Sequence, residues 1–391
     1  MGKRMNMRFI DNIRDDDSLS GHEIEQLFQL GENFEYGELV KQDYEAAFEI
    51  YQKCADLGYT AALNKLGWFY HNGIVVEKDI NKAFEYYTEA ANVDDPVAMV
   101  NLGNIYENND FEDDEIDWKN AAKWYLKAAL LGDTKGKFNY ANCLHYGNGV
   151  KKDYEMAFWL FRNVAKSGDN DALFYLGLYY ENGFAVENDI QKAIAFYEEG
   201  AKHGDAYCYA NLARLYADGF KGQKPDNKKA AGYYLDALSH GDALGYAGIG
   251  HMYEVGAITG KEDVEKAKEW YQMAVEHDFE PAIEELERLG SEYDPALEMD
   301  EKVLRAECLL AISSLSFEDL RAATKVILEN GRCTLPLIQK NMGWGFGHTA
   351  TIIENLERIG IISPKIENKI TRKILINNYK EYEQFENNLK S

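Results

Sequence analysis

The stretch Leu66-Gly67-Trp68-Phe69-Tyr70-His71-Asn72-Gly73-Ile74-Val75-Val76-Glu77-Lys78-Asp79, continued by Ala83, Tyr87, Ala90 and Ala91, decides the fold. Tyr70 follows Leu66 by one helical turn, Asn72-Gly73 breaks the helix, and from Ala83 onward apolar residues return at spacings of three and four. Such spacing lays an apolar stripe along one helix face, and glycine ends the first helix where the chain must turn. The stretch is therefore predicted to be a helical hairpin. Small residues at Gly67 and Ala83 let its two helices approach closely, while Tyr70 and Tyr87 fill the space between neighbouring hairpins.

The same order returns as Leu176, Gly177, Tyr180, Gly183, Val186, Asp189, Ala193, Tyr197 and Ala201. The leading position recurs at Leu30, Leu66, Leu102, Tyr140, Leu176, Leu212 and Ile249. One hairpin cannot bury its stripe alone, so a fixed period of this length predicts a stacked array and argues against a catalytic globule. Two units depart from the pattern. In the third, Asn109 replaces the loop glycine and the acidic insert Asp110 to Asp117 follows; in the sixth, Lys221 to Lys228 lengthens the loop around Pro225.

Residues 24–290 resemble the Sel-one-like repeat, a relative of the tetratricopeptide repeat. The resemblance rests on seven L-G-x-x-Y-x-x-G type units and on Trp124-Tyr125, Tyr233-Tyr234 and Trp270-Tyr271, where that family places a W-Y pair. It implies a right-handed α-solenoid whose concave face is lined by positions two and five after each leading residue. Read off the sequence, the candidate protein-binding groove comprises Trp68, His71, Asn104, Glu107, Asn142, His145, Glu181, Arg214 and His251. Asn104 and Asn142 offer amides to an extended peptide, Trp68 a flat apolar contact, and Arg214 or His251 an anion site. A solvated face without a ligand is the competing reading.

Composition bounds the rest. The 391 residues suffice for two or three domains, and 46% apolar content builds a sizeable core with no apolar run long enough to cross a membrane. The start, Met1 to Asp17, lacks the continuous apolar segment and cleavage site of a secretion signal. Cys54, Cys143, Cys208, Cys308 and Cys333 are odd in number and scattered, and read as reduced thiols. A cytoplasmic, bacterial protein is expected. Of the net charge of −25, residues 317–378 hold nine bases against six acids, and the tail holds two against three. This leaves −27 on residues 1–316. Such an array repels a phosphate backbone and favours a basic protein partner, although acidity also serves solubility.

Gly290 to Asp300 loses periodicity and holds Pro295, which marks a boundary. Beyond it are predicted a helix from Glu301, a helix from Phe317 to Glu329 capped by Ser316, a Thr334-capped helix with Pro336 near its start, and a third helix from His348 to Ile359. Ile361 to Ser363 and Ile370 to Ile376 then flank the turn Pro364 to Lys369 as a two-stranded wing would. Three helices and a hairpin make a winged helix-turn-helix, whose third helix commonly enters the major groove.

The phrase from Gly345 through Glu357, continued by Gly360-Ile361-Ile362-Ser363, resembles the gamma domain of FtsK-type DNA translocases. That family carries a run close to G-Y-N-R-A-A-R-I-I-E-x-M-E. Here Gly347 stands for its asparagine and His348 and Thr351 for its two arginines, while Glu354 is kept and Arg372 matches the wing arginine. The resemblance implies a DNA-binding set of Lys340, Gly347, His348, Thr351, Glu354, Arg372 and Lys373. Neither His348 nor Thr351 reproduces the fork with which arginine reads guanine. Trp344 and Phe346 read as core anchors more readily than as base-stacking platforms.

Signatures of catalysis are weak. Gly256 to Lys261 is one residue short of a phosphate loop and continues into Glu262 instead of a magnesium-holding hydroxyl. Cys143 and His145 lack two further zinc ligands, and Asp110 to Asp117 lacks the glycine and final glutamate of a calcium loop. The sequence thus predicts a mostly α protein: segment 1–23, repeat solenoid 24–290, linker and connecting helix 291–316, winged helix 317–378 and tail 379–391. It is expected to have no enzymatic activity, cofactor, metal or membrane span. Two functions stand: an adaptor that grips a protein or peptide in its groove and duplex DNA at its winged helix, or a pure protein scaffold whose winged helix docks protein or dimerises.

Overall fold

A computed structural model describes residues 19–111, 116–295, 300–312, 317–342, 344, 346–363 and 374–376. The chain divides into two compact units, Met1–Ala172 and Leu173–Ser391.

The first unit stacks helices α1 (Gly21–Tyr36), α2 (Tyr44–Asp56), α3 (Thr60–Asn72), α4 (Ile80–Ala91), α5 (Pro96–Glu107), α6 (Trp118–Leu130), α7 (Thr134–Tyr146) and α8 (Tyr154–Lys166). They pair as hairpins, and each hairpin packs on the next. Local chemistry sets the boundaries. The second helices start on Asp43, Asp79, Asp117 and Asp153, whose carboxylates accept backbone N–H groups of the first turn. Each such cap is worth about 1 kcal/mol over alanine. The first helices of units one, two and four stop at Gly37, Gly73 and Gly147 in the left-handed conformation. Unit three lacks that glycine, and Asn109 takes the left-handed turn at φ 55°. Between Glu107, where α5 ends, and Trp118, where α6 begins, the chain has three more residues than between Asn72 and Ile80 in unit two.

Close helix approach decides the packing within a hairpin. At Gly67 an added Cβ would meet the ring of Tyr87 at 2.6 Å, and at Gly103 it would run into the ring of Tyr125 more closely still. Leu66, Leu102, Tyr87 and Tyr125 are accordingly at most 1% exposed.

The second unit continues with α9 (Asp171–Asn182, all but its first two residues), α10 (Ile190–Lys202), α11 (Ala206–Asp218), α12 (Asn227–Ser239), α13 (Leu244–Glu254) and α14 (Val264–Glu276). The phosphate-loop-like stretch Gly256 to Lys261 is the connector between α13 and α14. Then follow α15 (Pro281–Arg288), α16 (Glu301–Ile312), α17 (Phe317–Asn330), α18 (Leu335–Met342) and α19 (Phe346–Arg358). Thr334 Oγ1 accepts from Leu337 N at 3.3 Å, the predicted cap of α18. Ile362 and Ile374 form an antiparallel bridge, and Leu375 N donates to Ile361 O at 2.9 Å. The rest of the predicted wing, Pro364 to Lys373, and the Ser316 cap lie outside the described residues.

One apolar cluster runs from Ala213, Leu235 and Trp270 through Leu309 and Ile327 to Ile353, Ile362 and Ile376. The last repeats and the three-helix module are therefore built on a single core. No helix among the described residues is long and apolar enough to cross a membrane.

Candidate functional site

The glutamates five positions after the leading residue act inside the repeats. Tyr51 OH donates to Glu35 at 2.5 Å, Tyr125 to Glu107, Tyr197 to Glu181 at 2.9 Å and Tyr271 to Glu254 at 3.1 Å. Each tyrosine lies over the small residue at position one and reaches along the first helix to position five. Burial first, and then the neighbouring carboxylate, push the tyrosine hydroxyls well above their usual range. Three of the glutamates also hold a cation from the following helical unit: Glu35 with Lys65 at 2.9 Å, Glu181 with Arg214, and Glu254 with Arg288 at 2.7 Å. A clasp thus runs from the second helix through the glutamate to the next repeat. The sequence carries this signal only in part: unit four combines Phe161 with His145, whereas units two and six keep Tyr87 and Tyr234 but place His71 and Ala217 at position five.

The predicted groove residues take these places. Trp68 is half-buried, its ring 6.5 Å from that of Tyr44 and 5.3 Å from that of Phe69. His71 Nε2 lies 3.0 Å from Asp110 Oδ2 and so ties the start of the acidic insert to unit two. Asn104 Oδ1 accepts from Tyr125 OH at 2.8 Å, beside Glu107. Asn142 Oδ1, at the matching position of unit four, is buried with no hydrogen-bond partner among the described residues. His145 is 7% exposed, between the rings of Tyr146 and Tyr154. Burial, and then the charge of Lys152, lower its pKa. Glu181 and Arg214 meet in one ion pair, and His251 is exposed, 3.9 Å from Glu254. Cys143 is buried and its thiol is pushed up to about 12 by burial. Among the described residues no cluster could hold a metal ion.

In the C-terminal module, α19 buries Thr349, Ile352, Ile353, Asn355 and Leu356 and leaves His348, Thr351 and Glu354 exposed. This spacing of three is the outward stripe of a helix docked by its opposite face. Lys340 is exposed on α18. His348 is not simply presented outward: its Nε2 is 3.8 Å from Asp319 Oδ2 of α17, and its ring stands edge-on to Trp344 at 4.7 Å. Trp344 packs partly buried on the core, as its reading as an anchor expects. Arg372 and Lys373 lie outside the described residues, as does the environment of Gly347 and the side chain of Phe346.

Sequence reading missed the residues that fasten this module to the repeats. Arg358, at the end of α19, donates from Nε and Nη2 to the two carboxylate oxygens of Asp236 on α12, at 2.6 and 2.9 Å. Ser239 Oγ donates to Glu357 O at 3.2 Å. Arg305 of α16, only 7% exposed, donates to Leu238 O, Tyr246 OH and Arg358 O and pairs with Glu301. A buried guanidinium is tolerable when several oxygens share it. No local pattern could have found these pairs, because Arg358 and Asp236 are 122 positions apart.

The family model of the Sel1 repeat matches seven consecutive segments, 27–59, 60–95, 96–133, 134–169, 170–205, 206–242 and 243–279, and that of the FtsK gamma domain matches 318–377. No curated protein matches the chain. Among solved structures, a Sel1 repeat protein from Oxalobacter formigenes is 29% identical with a TM-score of 0.57, over 63% of this chain and 96% of that one. The protective antigen c5321 of uropathogenic Escherichia coli, with an SLR fold, is 22% identical with a TM-score of 0.42, over 94% of this chain and 83% of that one. The immunity protein Pa5087 of Pseudomonas aeruginosa is 23% identical with a TM-score of 0.35, over 57% and 83%. The comparisons identify no catalytic domain. With seven contiguous repeats matched over more than half its length, the chain belongs to the Sel1 repeat family and carries a C-terminal FtsK gamma domain.

Proposed function

We propose that this chain is a non-enzymatic, cytoplasmic adaptor whose repeats hold a protein or peptide partner and whose gamma domain contacts duplex DNA. The observation that carries the reading is the arrangement of α19. Its C-terminal end is fastened to the sixth repeat through Asp236, while His348, Thr351 and Glu354 stay exposed, as does Lys340 on α18. A reading helix held this way loses little freedom on docking, which favours binding. In the repeats, Trp68, His71, Asn142, His145 and His251 are the groove positions not spent on a tyrosine clasp, and the acidic array suits a basic partner.

A pure protein scaffold is the second reading. His348 replaces an arginine of the gamma domain and is turned toward Asp319, which weakens the case for guanine recognition. The two readings separate in the full chain by comparing short duplexes of different sequence. Under the adaptor reading, Lys340→Ala weakens all of them alike, whereas Thr351→Ala changes the preference among them. Affinities unmoved by both substitutions favour the scaffold.

A further inference from the structure

Charge is not spread evenly within the repeats. Residues 118–168, from α6 to the turn after α8, contain nine bases and three acids, a net +6 in a chain whose remaining 340 residues carry −31. Two of the three acids, Asp133 and Asp153, are turned to backbone N–H groups as helix caps. The run Asp110 to Asp117 just before holds six acids, of which Asp110 is held by His71 and Asp117 by the backbone of Asn120.

Five of the nine bases lie on second helices. Lys119, Lys123 and Lys127 are exposed along α6 at spacings of four, a stripe about 12 Å long. Arg162 and Lys166 are exposed on α8, on a face that also carries Trp159 at 56% exposure and the exposed acid Glu155, with Met156, at 47%, toward its edge. Leu130, at the end of α6, is 77% exposed. Both helices pack on α7 and are the second helices of successive repeats. Lys127 Nζ sits 3.9 Å over the ring of Trp124, which fixes one ammonium at the surface. Among the described residues no carboxylate lies within ion-pair distance of Lys119, Lys123, Lys127, Arg162 or Lys166.

We propose that the outer face of α6 and α8 is a docking surface for a short acidic protein segment bearing apolar side chains. Charge complementarity selects the acidic character. Trp159 and Leu130, with Met156 toward the edge, select the apolar component, since exposed apolar groups beside cations are best covered by a partner that is both apolar and acidic. The strongly negative remainder of the chain selects short length: a nucleic acid or an anionic membrane extends past the patch into repulsion, whereas a short segment does not.

Fluorescence anisotropy of the full chain tests this, using a short fluorescein-labelled peptide of glutamates and leucines, an oligo-dT strand and anionic phosphatidylserine vesicles as separate probes. The peptide should bind at about 50 mM salt and weaken severalfold at about 500 mM. The triple variant Lys123→Glu, Lys127→Glu, Arg162→Glu should lose roughly tenfold or more, and Trp159→Ala roughly threefold or more. Lys192→Glu with Lys202→Glu, on α10, should change little. No peptide binding at low salt overturns the proposal, as does equal loss in the α10 variant. Binding of oligo-dT or vesicles without the peptide overturns it too, and so does self-association of the chain that the triple variant abolishes.

Discussion

Asp236 of the sixth repeat receives both Nε and Nη2 of Arg358, so the last turn of the gamma domain's third helix is bolted to a repeat helix. Both side chains are mostly shielded from solvent, at 19% and 26% exposure. Removing either leaves a partly buried charge without its partner. Asp236→Ala should therefore cost about 1–3 kcal/mol in urea unfolding, and the double variant with Arg358→Ala should recover part of that loss. Strictly additive losses in the cycle would mean that the pair contributes no coupling.

The tyrosine clasp makes a steric prediction. An added methyl at Gly103 runs into the ring of Tyr125, which is fully buried. Gly103→Ala should destabilise the chain by about 1–3 kcal/mol, although alanine is the better helix former. Thermal unfolding checks it, and a gain in stability would contradict the packing described for the repeats.

Unit four lacks its clasp, and this should be repairable. Phe161 takes the place of the tyrosine, and Asn142 Oδ1 is buried without a hydrogen-bond partner among the described residues, whereas Asn104 in unit three accepts from Tyr125. Phe161→Tyr should supply that hydroxyl and stabilise by about 1 kcal/mol. An unchanged or lowered unfolding midpoint would place the ring elsewhere.

His145 sets a pH response. Burial and Lys152 hold its folded pKa below the ordinary value of 6.5, so the unfolded chain binds the proton more readily. Stability from this group is present above about pH 6.5 and is lost as pH falls below it. Replacing it by His145→Gln should flatten the wild-type decline between about pH 6.5 and pH 5, read as the difference between the two unfolding curves. Parallel curves would show that the ring is solvated in the folded state.

The repeat architecture was legible because it is local. Leu66-Gly67, Tyr70, Gly73 and Asp79 specify in order a stripe, a close approach, a helix end and a helix cap. Each requirement is met within one hairpin, and the Asp cap recurs in all seven units while the helix-ending glycine is missing from the third. The same logic found the three helices of the gamma domain and the capping role of Thr334. It did not find the partners of Glu107 and Glu181, which leave the apolar stripe and so look solvent-facing. Only the reach of a tyrosine from the second helix takes them inside. The connecting helix expected within 291–316 is α16, whose Arg305 joins repeat and gamma domain through contacts that no sequence spacing encodes. For the same reason a fragment beginning at Glu301 would expose its side of a shared core, and functional tests belong to the full chain.

The most direct test of the adaptor is a titration of the full chain with short duplex DNA at several salt concentrations between about 50 and about 200 mM. The account predicts association at the lowest salt, with log affinity falling linearly against log salt at a slope of about −0.9 per phosphate contacted. Absence of association at low salt would contradict it.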